Sequence, residues 1–413
     1  MIVKNKIKIS IIGLGRVGLP LLLFLEDKGF DLIGIDSDIK LIESLKKKRM
    51  PFHEKGCERL LKKTKSLFYC DVNILKNISV DFIIITVGTP LMDGIEVDLS
   101  SINKVLQDII HIIKKGQTLI LRSTVSPNTT KYVKNYLNKN TKFKVGKDIF
   151  LSYCPERLAE NHALEELNLL PQIIGAEDKK SFYNTKRIFE KFKVKIFKTN
   201  YLSAELVKLF NNNLRYIEFA AANQFAILAN NFDQNIFDII EMCNYQYPRG
   251  HIFKPGLTGG TCLRKDFGML NENFPNIDLF ISAWKVNEYM PYHLVSATEK
   301  KINFTNKVVG VLGYTFKKNS DDIRESLVPK LIRQLEKKVP KKIILSDPRS
   351  NQKKLGAYIN YDYKEVLKKS DIIYIAINHD NFIKRNLLKF SKKKTIFVDI
   401  WNHLKENTFF YSK

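Results

Sequence analysis

Cysteine, long apolar runs and acidic residues are all scarce in this sequence. Five of the 413 residues are cysteines, and none lies in a CxxC pair or near a histidine at metal-ligand spacing. This pattern argues against a disulfide framework and against structural zinc, so we expect no metal centre. No apolar run reaches the roughly 18 residues that a membrane span needs, and the first residues lack a signal-peptide pattern. We therefore expect a cytoplasmic protein with no membrane partner.

The shortage of acidic residues leaves a formal net charge of +25. Lysine occurs along the whole length, in short runs such as Lys46-Lys47-Lys48 and Lys392-Lys393-Lys394. A polyanion partner would explain such a charge, but no zinc-finger spacing or RNA-binding aromatic signature accompanies it. We favour lysine as the default surface residue and expect no nucleic-acid partner. A basic surface would still help to attract an anionic nucleotide substrate.

The first forty residues contain a complete dinucleotide-binding pattern. A short apolar run leads into Gly13, Gly15 and Gly18, an apolar helical stretch follows, and a second strand ends at Asp36. The glycines allow a tight turn and the close approach of a pyrophosphate to the helix N-terminus. A carboxylate at Asp36 would accept hydrogen bonds from the adenine ribose and disfavour a 2′-phosphate. This pattern predicts that NAD is the cofactor.

Strands and helices alternate along most of the chain. Strand-like runs at 82–86, 118–121, 149–152 and 172–174 predict a largely parallel, doubly wound sheet up to about residue 200. Residues 201–230 form a long helical pattern without Gly or Pro, which is typical of a domain connector or a dimer surface. The alternation restarts near residue 307. We therefore expect an α/β protein with two Rossmann-like doubly wound domains joined by a long central helix. The expected domains are an NAD-binding domain (1–200), a central helical and dimerisation domain (201–300) and a second Rossmann-like domain (301–413) for a nucleotide-bearing substrate.

A glycine-rich loop at residues 253–266 contains one cysteine. Cys262 follows several glycines, and Lys265 and Asp266 come shortly after it. A thiol attacks a carbonyl carbon only when it is ionised and reachable; glycines allow close approach, and nearby cations lower the pKa of a thiol. The loop is therefore either a nucleophile site or a turn with a buried cysteine, and by itself it leaves both open.

Further motifs occur in a fixed order along the chain. They are Val87-Gly88-Thr89-Pro90, Arg122-Ser123-Thr124-Val125, Cys154-Pro155-Glu156-Arg157, Lys208 with Asn212, the Cys262 loop, and Phe316-Lys317 ahead of Asp321-Asp322-Ile323-Arg324-Glu325-Ser326. With these motifs the chain resembles the UDP-glucose/GDP-mannose dehydrogenase family over essentially its whole length. The resemblance implies a homodimeric, NAD-dependent enzyme that oxidises C6 of a UDP-sugar to a carboxylate, commonly for polysaccharide biosynthesis.

The resemblance also implies a chemical role for six residues. Cys262 would trap the aldehyde as a thiohemiacetal, which a second oxidation converts to a thioester that water hydrolyses. Lys208 and Asn212 lie one helical turn apart and would donate to the same oxyanion. Glu156 and Asp266 are the carboxylates for the water and proton steps, with Thr124 positioning a water. Which carboxylate is the base stays open.

The resemblance implies two sets of binding residues. The cofactor set is Gly13, Gly15, Gly18, Asp36, Thr89, Ser123, Thr124, Glu160, Lys265 and Arg324. The substrate set is Glu156, Arg157, Lys208, Asn212, Arg249, Phe253, Gly256, Gly259, Phe316 and Lys317. The planar fork of Arg249 suits a pyrophosphate or a sugar group, and in the family this arginine often comes from the partner subunit.

Three choices stay open at this point. Arg157 after Pro155-Glu156, and Arg249 in Tyr247-Pro248-Arg249, favour a UDP-N-acetylhexosamine; Lys265-Asp266 follows the UDP-glucose pattern, which is close behind. A single-oxidation dehydrogenase of the 6-phosphogluconate type would need neither the thiol loop nor a second Rossmann-like domain. A catalytically silent nucleotide-sugar binder would not need the intact catalytic set.

Cys154 is the rival nucleophile, but its loop lacks glycines and a following cation, so we interpret it as structural.

Overall fold

The computed structural model describes residues 6–90, 98–271, 278–406 and 408–412, except for the side chain of Cys262. The chain divides into two compact units. The first comprises residues 1–211 and 265–275, and the second comprises residues 212–264 and 276–413. Each unit is built around its own sheet, as the sequence predicts.

The first unit contains an eight-stranded sheet with strand order β3-β2-β1-β4-β5-β6-β7-β8. Its strands are β1 (Lys8–Ile12), β2 (Asp31–Ile35), β3 (Leu67–Tyr69), β4 (Phe82–Ile85), β5 (Thr118–Leu121), β6 (Phe150–Tyr153), β7 (Gln172–Gly175) and β8 (Ile196–Thr199). Neighbouring strands pair in parallel except β6 and β7, which are antiparallel. The first six strands thus have the order of a dinucleotide-binding fold.

Among the described residues, seven α-helices connect the strands of this sheet. They are α1 (Gly18–Asp27), α2 (Ile39–Lys46), α3 (Cys57–Lys63), α4 (Ser100–Ile109), α5 (Thr129–Asn140), α6 (Ala163–Glu166) and α7 (Lys179–Phe189). Strands β1, β4 and β5 are almost wholly buried, and two apolar clusters lie on opposite faces of the sheet. Burial on both faces explains why these strands are short continuous apolar runs rather than alternating ones.

Four further helices connect the two sheets along the chain. They are α8 (Tyr201–Asn231), α9 (Ile236–Asn244), α10 (Thr261–Asn271) and α11 (Asp278–Glu299). Helix α8 has 31 residues, which is roughly 46 Å at 1.5 Å per residue. It begins in the first unit and ends in the second, whereas α10 begins in the second unit and ends in the first.

The second unit contains a five-stranded sheet of order β10-β9-β13-β14-β15. The strands are β9 (Val308–Leu312), β10 (Lys342–Ser346), β13 (Ile372–Ile375), β14 (Ile396–Val398) and β15 (Phe410–Ser412), and β11 (Lys354–Leu355) pairs with β12 (Tyr358–Ile359) as a separate ribbon. The helices are α12 (Val328–Glu336), α13 (Tyr363–Lys369) and α14 (Lys384–Phe390). All pairings in the five-stranded sheet are parallel except β14 with β15. The predicted second Rossmann-like sheet is confirmed.

Two properties of the described residues bear on function. No helix among the described residues has the length and the apolar composition that a membrane span requires. Among the same residues, no three His, Cys, Asp or Glu side chains are grouped so that they could hold a metal ion.

Candidate active site

The turn after β1 is held by the acidic residue at the end of β2. Gly13 has a φ of +96°, and a Cβ there would lie 2.8 Å from the backbone nitrogen of Val87. Asp36 Oδ2 accepts a hydrogen bond from the Leu14 N–H at 2.7 Å. A Cβ on Gly18 would lie 1.8 Å from Gly13 O, so this third glycine is needed for packing. The turn and the start of α1 are therefore fixed by residues predicted from the sequence.

Two other glycines border open space in the same region. A Cβ on Gly15 or on Gly88 would meet no atom within 4 Å. Both follow strands whose carboxyl ends form one edge of the parallel sheet, β1 and β4. The open space at Gly15, next to the α1 N-terminus, fits the pyrophosphate of a dinucleotide.

Arg16 links the glycine turn to Glu160. The two side chains form an ion pair and are 23% and 12% exposed, respectively. The Arg16 guanidinium carbon lies 5.0 Å from the centre of the Phe52 ring. Glu54 accepts hydrogen bonds from the Asn161 and Ala163 N–H groups at 2.9 and 3.0 Å, which holds the segment that follows Glu160. The predicted cofactor residue Glu160 is thus anchored beside the predicted cofactor turn.

The loop after β4 contacts both Lys265 of α10 and the loop after β5. Lys265 Nζ donates to Thr89 Oγ1 at 3.1 Å, and the Thr89 hydroxyl donates to Thr124 O at 2.7 Å. The Ser123 hydroxyl donates to Val87 O at 2.7 Å. Four residues predicted to bind cofactor, Thr89, Ser123, Thr124 and Lys265, therefore lie together in the first unit.

Glu156 is buried and lies beside a buried arginine. Its carboxylate accepts the Leu158 N–H, and it interacts electrostatically with Arg122, whose side chain is 2% exposed. Arg122 also lies within 3.4–3.5 Å of Gln172 Oε1 and Cys154 O. Burial lowers the pKa of Arg122, and the charge of Glu156 opposes that shift. Burial also raises the pKa of the Cys154 thiol to about 12, which fits the interpretation of Cys154 as structural.

Lys208 and Asp266 are both buried in the first unit. Glu205, one turn before Lys208 on α8, accepts hydrogen bonds from the Asn128 and Thr130 N–H groups at 2.7 Å and so caps α5. Burial raises the pKa of Tyr153 well above its usual range, and the charges of Glu205 and Asp266 raise it further. Two buried carboxylates, Glu205 and Asp266, therefore act electrostatically on Tyr153 in this unit.

The backbone of Cys262 lies in a helix, not in the glycine loop where we expected it. Helix α10 begins at Thr261, directly after Gly260, whose φ is +102°. The loop therefore ends at Gly260, and the cysteine occupies the second helical residue. Unsatisfied N–H groups and the helix dipole favour an anion at this end of a helix. The side chain of Cys262 itself lies outside what the structure describes.

The glycine loop before Cys262 is buried and closely packed in the second unit. A Cβ on Gly256 would lie 2.2 Å from the Trp401 ring, and one on Gly259 would lie 2.7 Å from Glu325 O. The Gly256 N–H donates to Asn223 Oδ1 at 2.9 Å, and Asn223 donates to Asn287 Oδ1 at 2.8 Å. Two fully buried asparagines on α8 and α11 thus anchor this loop.

A cluster of charged side chains holds the start of α10. Arg264 Nε lies 3.1 Å from Glu288 Oε1, and its guanidinium also pairs with Glu325. Lys330 pairs with the same Glu288, whose side chain is 9% exposed. The Gly260 N–H donates to Glu325 O at 2.8 Å. The Asp321–Ser326 block and the Cys262 loop are therefore joined within one unit.

The remaining predicted substrate residues of the second unit fall into two groups. Arg249 donates to the Tyr247 hydroxyl at 3.0 Å and lies on the surface, and the Phe253 ring packs on Phe219 with 5.2 Å between centres. The Phe316 ring lies 2.5 Å from where a Gly260 Cβ would be, so it borders the Cys262 loop. Lys317 directly follows. Arg324, a predicted cofactor residue, donates to Asp322 at 2.6 Å.

Several residues of the site were not predicted from the sequence. They are Arg16, Arg122, Tyr153, Glu205, Asn223, Arg264, Glu288 and Asn287. Each is defined by a partner that is distant in the chain or by burial, as with Asn223 and Asn287, 64 residues apart. Arg122 and Arg264 did lie within recognised motifs, and a charged residue in a buried motif is a signal that could have identified them.

Comparison with known proteins assigns the family. Three family models match in succession: the NAD binding domain of the UDP-glucose/GDP-mannose dehydrogenase family at residues 7–193, its central domain at 202–289 and its UDP binding domain at 310–406. A UDP-N-acetyl-D-mannosamine dehydrogenase of Methanococcus vannielii is 32% identical over 98% of this chain and 95% of that protein.

Two solved structures have the same architecture. The UDP-D-ManNAc dehydrogenase of Pyrococcus horikoshii matches with a TM-score of 0.88 and 29% identity over 97% of this chain and 96% of that one. The UDP-N-acetyl-mannosamine dehydrogenase of Staphylococcus aureus matches with a TM-score of 0.85 and 29% identity over 97% of this chain and 95% of that one. The predicted fold, NAD cofactor and reaction class are confirmed. This chain belongs to the UDP-glucose/GDP-mannose dehydrogenase family and is an NAD-dependent nucleotide-sugar dehydrogenase.

Proposed function

We propose that this enzyme oxidises the C6 alcohol of UDP-N-acetyl-D-mannosamine to a carboxylate in two steps, with Cys262 as the nucleophile. The observation that carries the proposal is the position of Cys262 as the second residue of α10, after a buried glycine loop and before Lys265 and Asp266. A helix N-terminus and nearby cations favour a thiolate. The single-oxidation dehydrogenases do not need this arrangement.

Each step of the proposed reaction balances. Loss of a hydride from C6 and of a proton from its hydroxyl gives the aldehyde. The Cys262 sulfur then bonds to the aldehyde carbon, and a proton on the oxygen completes a thiohemiacetal. Loss of a second hydride and a proton gives the thioester. Water adds, and the C–S bond breaks to release the carboxylate, the thiol and one proton. When bound, NAD⁺ supplies the hydride acceptor, one molecule for each oxidation.

The burial of the proposed residues supports their roles. Lys208, with a 5% exposed side chain, and Asn212 are four residues apart on α8 and would donate to the C6 oxygen as charge develops on it. Glu156 and Asp266, 8% and 0% exposed, would take the protons released and activate water, with Thr124 positioning that water. Charged groups out of bulk water interact more strongly, which favours catalysis.

The proposed cofactor contacts are supported by the first unit. Gly13, Gly15 and Gly18 would let the pyrophosphate approach α1, and Asp36 would accept hydrogen bonds from the adenine ribose. Thr89, Ser123, Thr124 and Lys265 lie together at the ends of β4 and β5, where the nicotinamide ribose would bind. Glu160 and Arg324 complete the proposed cofactor set.

The choice of sugar rests on relatives and on two arginines. The relatives at 31–32% identity that span nearly the whole chain act on UDP-N-acetyl-D-mannosamine, by their names. Arg157 is partly buried and donates to Pro171 O at 2.6 Å, which leaves other N–H groups for a ligand. Together with Arg249 it would bind the acetamido sugar or the pyrophosphate. Phe253, Gly256, Gly259, Phe316 and Lys317 would bind the rest of the nucleotide sugar.

The test is the number of NADH formed per nucleotide sugar. We expect two NADH per UDP-N-acetyl-D-mannosamine, lower kcat/KM with UDP-GlcNAc, UDP-GalNAc and UDP-glucose, and no acid product from Cys262→Ala. The matched control is Cys243→Ser, because Cys243 is exposed and outside the proposed site. One NADH per sugar would instead support a single-oxidation dehydrogenase. NAD binding without turnover on any sugar would support a silent binder.

We also propose that the enzyme is a homodimer through α8. In the second unit this helix presents Leu214, Phe225 and Leu228, which are 58%, 43% and 44% exposed. Their spacing of eleven and three residues keeps them on one helical face. Exposed large apolar side chains on one helical face are typical of a dimer surface, and a second copy of the chain is the occupant we propose.

Sedimentation of the full chain tests the dimer. We expect twice the chain mass for the wild type and the monomer mass for Leu214→Glu combined with Phe225→Glu. The control is Leu169→Glu, since Leu169 is 65% exposed and is not part of α8. A dimer that survives the double substitution would contradict the proposal. The cytoplasmic location stays a prediction, which cell fractionation would check.

A further inference from the structure

A buried histidine holds the loop that contains Phe316 and Lys317. This loop, residues 314–319, follows β9 and is called the nucleotide loop below. His379 follows β13, the strand next to β9, and its side chain is fully buried. Since parallel strands end at one edge of a sheet, the histidine and the loop lie at the same edge.

His379 contacts both ends of the nucleotide loop. Its Nδ1 accepts the Asn319 N–H at 2.9 Å, and its Nε2 lies 3.1 Å from Thr315 Oγ1 and 3.3 Å from Asp347 Oδ2. A neutral imidazole has one acceptor and one donor nitrogen. Because Nδ1 accepts, the proton belongs on Nε2, which donates toward Asp347 and Thr315. The ring therefore spans the loop from Thr315 to Asn319.

Asp347 completes this arrangement from the end of β10. Its Oδ2 accepts the Tyr314 and Thr315 N–H groups at 2.6 and 2.9 Å, and its Oδ1 accepts the Arg349 N–H at 2.8 Å. Burial alone would raise the pKa of Asp347, but the hydrogen bonds from His379 and from the two loop N–H groups outweigh it, so the pKa is lowered. An ionised Asp347 is thus a fixed acceptor for the imidazole.

The side chain of Asn319 fastens the far end of the loop. It donates to Asp380 Oδ2 at 2.6 Å and accepts the Asp380 N–H at 3.1 Å. Arg349 donates to the same Asn319 oxygen at 3.3 Å. Between the two fixed ends, the Phe316 N–H donates to Asp322 O at 3.0 Å, and the Phe316 ring borders Gly260. A shift of the loop would therefore move both Lys317 and a wall of the Cys262 loop.

We propose that His379 is a positioning residue for the UDP part of the substrate: through Thr315 and Asn319 it sets the nucleotide loop so that Phe316 and Lys317 meet that ligand. The inference rests on the proposed function, which assigns Phe316 and Lys317 to the nucleotide sugar. His379 itself touches no substrate. Its substitution is expected to change UDP affinity and KM more than kcat, because the chemistry takes place on other residues.

The test is UDP binding to full-length variants by calorimetry, with ADP-ribose as the internal control. His379→Phe keeps a ring but makes neither hydrogen bond, and we expect about tenfold weaker UDP binding, the effect of about 1.4 kcal/mol, with ADP-ribose binding unchanged. His379→Asn can still accept the Asn319 N–H, and His379→Gln can still donate toward Asp347, so each should recover part of the loss. The matched control is Tyr374→Phe. Tyr374 lies on β13, the strand before His379, and the substitution removes its buried 2.8 Å hydrogen bond to Thr298 of α11, so UDP affinity should stay unchanged.

The outcomes separate this inference from the proposed function. If His379→Phe leaves UDP affinity unchanged while Lys317→Ala lowers it, this inference is overturned and the proposed function is not. Equal weakening in His379→Phe and Tyr374→Phe would also overturn it, because the histidine would then act only through stability. A wild type that does not bind UDP would overturn the proposed function itself. If His379→Phe does not fold, hydrogen exchange of the Asn319 amide in His379→Gln decides: faster exchange with weaker UDP binding supports the inference, and faster exchange with unchanged binding refutes it.

Discussion

One carboxylate serves the same purpose at the nucleotide turn of each unit. Asp36, after β2, accepts the Leu14 N–H, and Asp347, after β10, accepts the Tyr314 N–H. In both cases the acid follows the second strand and holds the turn that follows the first strand. The carboxylate therefore stabilises the turn independently of any ligand, and a substitution there affects both the fold and the binding of a nucleotide.

Asp36→Ser tests the cofactor choice of the first unit. Loss of the negative charge removes the repulsion of a 2′-phosphate and an acceptor for the ribose. We expect kcat/KM with NAD to fall and the preference for NAD over NADP to narrow by about tenfold or more, which is about 1.4 kcal/mol. Initial rates with both cofactors measure it. An unchanged preference would contradict the role of Asp36.

Asp38→Ala is the control for that substitution. Asp38 caps α2 by accepting the Leu41 N–H at 3.1 Å, and loss of a helix cap costs about 1 kcal/mol of stability. Its cofactor preference is expected to stay that of the wild type, so a change there would indicate a general effect of charge.

At this scale, the sequence predicts residues whose roles depend on near neighbours. Gly13, Gly18 and Asp36 were predicted because a strand, a turn, a helix and a second strand occur within one short segment. The Arg16–Glu160 ion pair joins residues 144 positions apart, and no local pattern contains that pairing. The role of His379 could not be predicted from the sequence either, because it depends on burial and on partners at positions 315, 319 and 347.

Among the elements, the Cys262 loop is closely packed at Gly260. Gly260 has a positive φ, and a Cβ there would lie 2.5 Å from the Phe316 ring. A side chain at this position would therefore suffer backbone strain and a clash at the same time. The two effects can be separated, because Gly29 has a φ of +94° with no atom within 4 Å of its Cβ position.

Gly260→Ala is expected to damage activity more than Gly29→Ala. The strain of a left-handed backbone costs about 1–2 kcal/mol in both variants, whereas only Gly260→Ala also displaces Phe316 and the start of α10. We expect backbone strain to lower the stability of both variants by a similar amount, and only Gly260→Ala to lower kcat/KM, by about tenfold or more. Thermal unfolding and steady-state rates measure the two effects. Equal kcat/KM in the two variants would show that the packing at Gly260 is unimportant.

Helix α11 carries a buried histidine that gives a pH dependence to stability. His293 is 6% exposed, and its pKa is lowered chiefly by burial, with a contribution from Lys300. The unfolded chain therefore binds the proton first as the pH falls below about 6.5. Stability is fully present above that pH and is lost as the pH falls toward the folded pKa; each tenfold difference in proton affinity is worth about 1.4 kcal/mol.

Urea unfolding at pH 7.5 and at pH 5.5 checks this sign. The loss of unfolding free energy between the two pH values should be smaller in His293→Gln than in the wild type. His111→Gln is the control, because His111 is exposed and its removal should leave the loss unchanged. An identical loss in His293→Gln and the wild type would contradict the prediction.

Strands that are buried along their whole length were predicted well from the sequence. The direction in which neighbouring strands pair was not predicted. The strands of 82–86 and 118–121 lie within one residue of β4 and β5, because both faces are buried. The antiparallel pairing of β6 with β7 is not visible in either segment. The three-residue strands β3 and β15 are too short for a hydrophobic period to show. The helix start at Thr261 was missed because glycines before Cys262 predict a loop but do not say where it ends.

On the scale of the whole molecule, the same arrangement occurs twice. The orders β3-β2-β1-β4 and β10-β9-β13-β14 both put the first strand of a unit between its second strand and a later parallel strand. A ligand binds such sheets at the carboxyl edge, where the strand order reverses. The family models assign NAD binding to the first sheet and UDP binding to the second. Two ligands are therefore expected to stabilise different parts of one chain.

Hydrogen exchange with each ligand alone tests this division. ADP-ribose should slow exchange at β1, β2 and the start of α1, and UDP should slow it at β9, β10 and the nucleotide loop. A ligand at about 100 times its Kd adds up to about 2.7 kcal/mol to the stability of the part that binds it. Adenosine and uridine, which lack the phosphates, should protect much less because the glycine turn and Lys317 then have no anion to bind. If either ligand alone slows exchange in both groups of elements, the assignment of one nucleotide to each sheet is wrong. If UDP slows exchange in neither group, there is no basis for placing the substrate on the second unit.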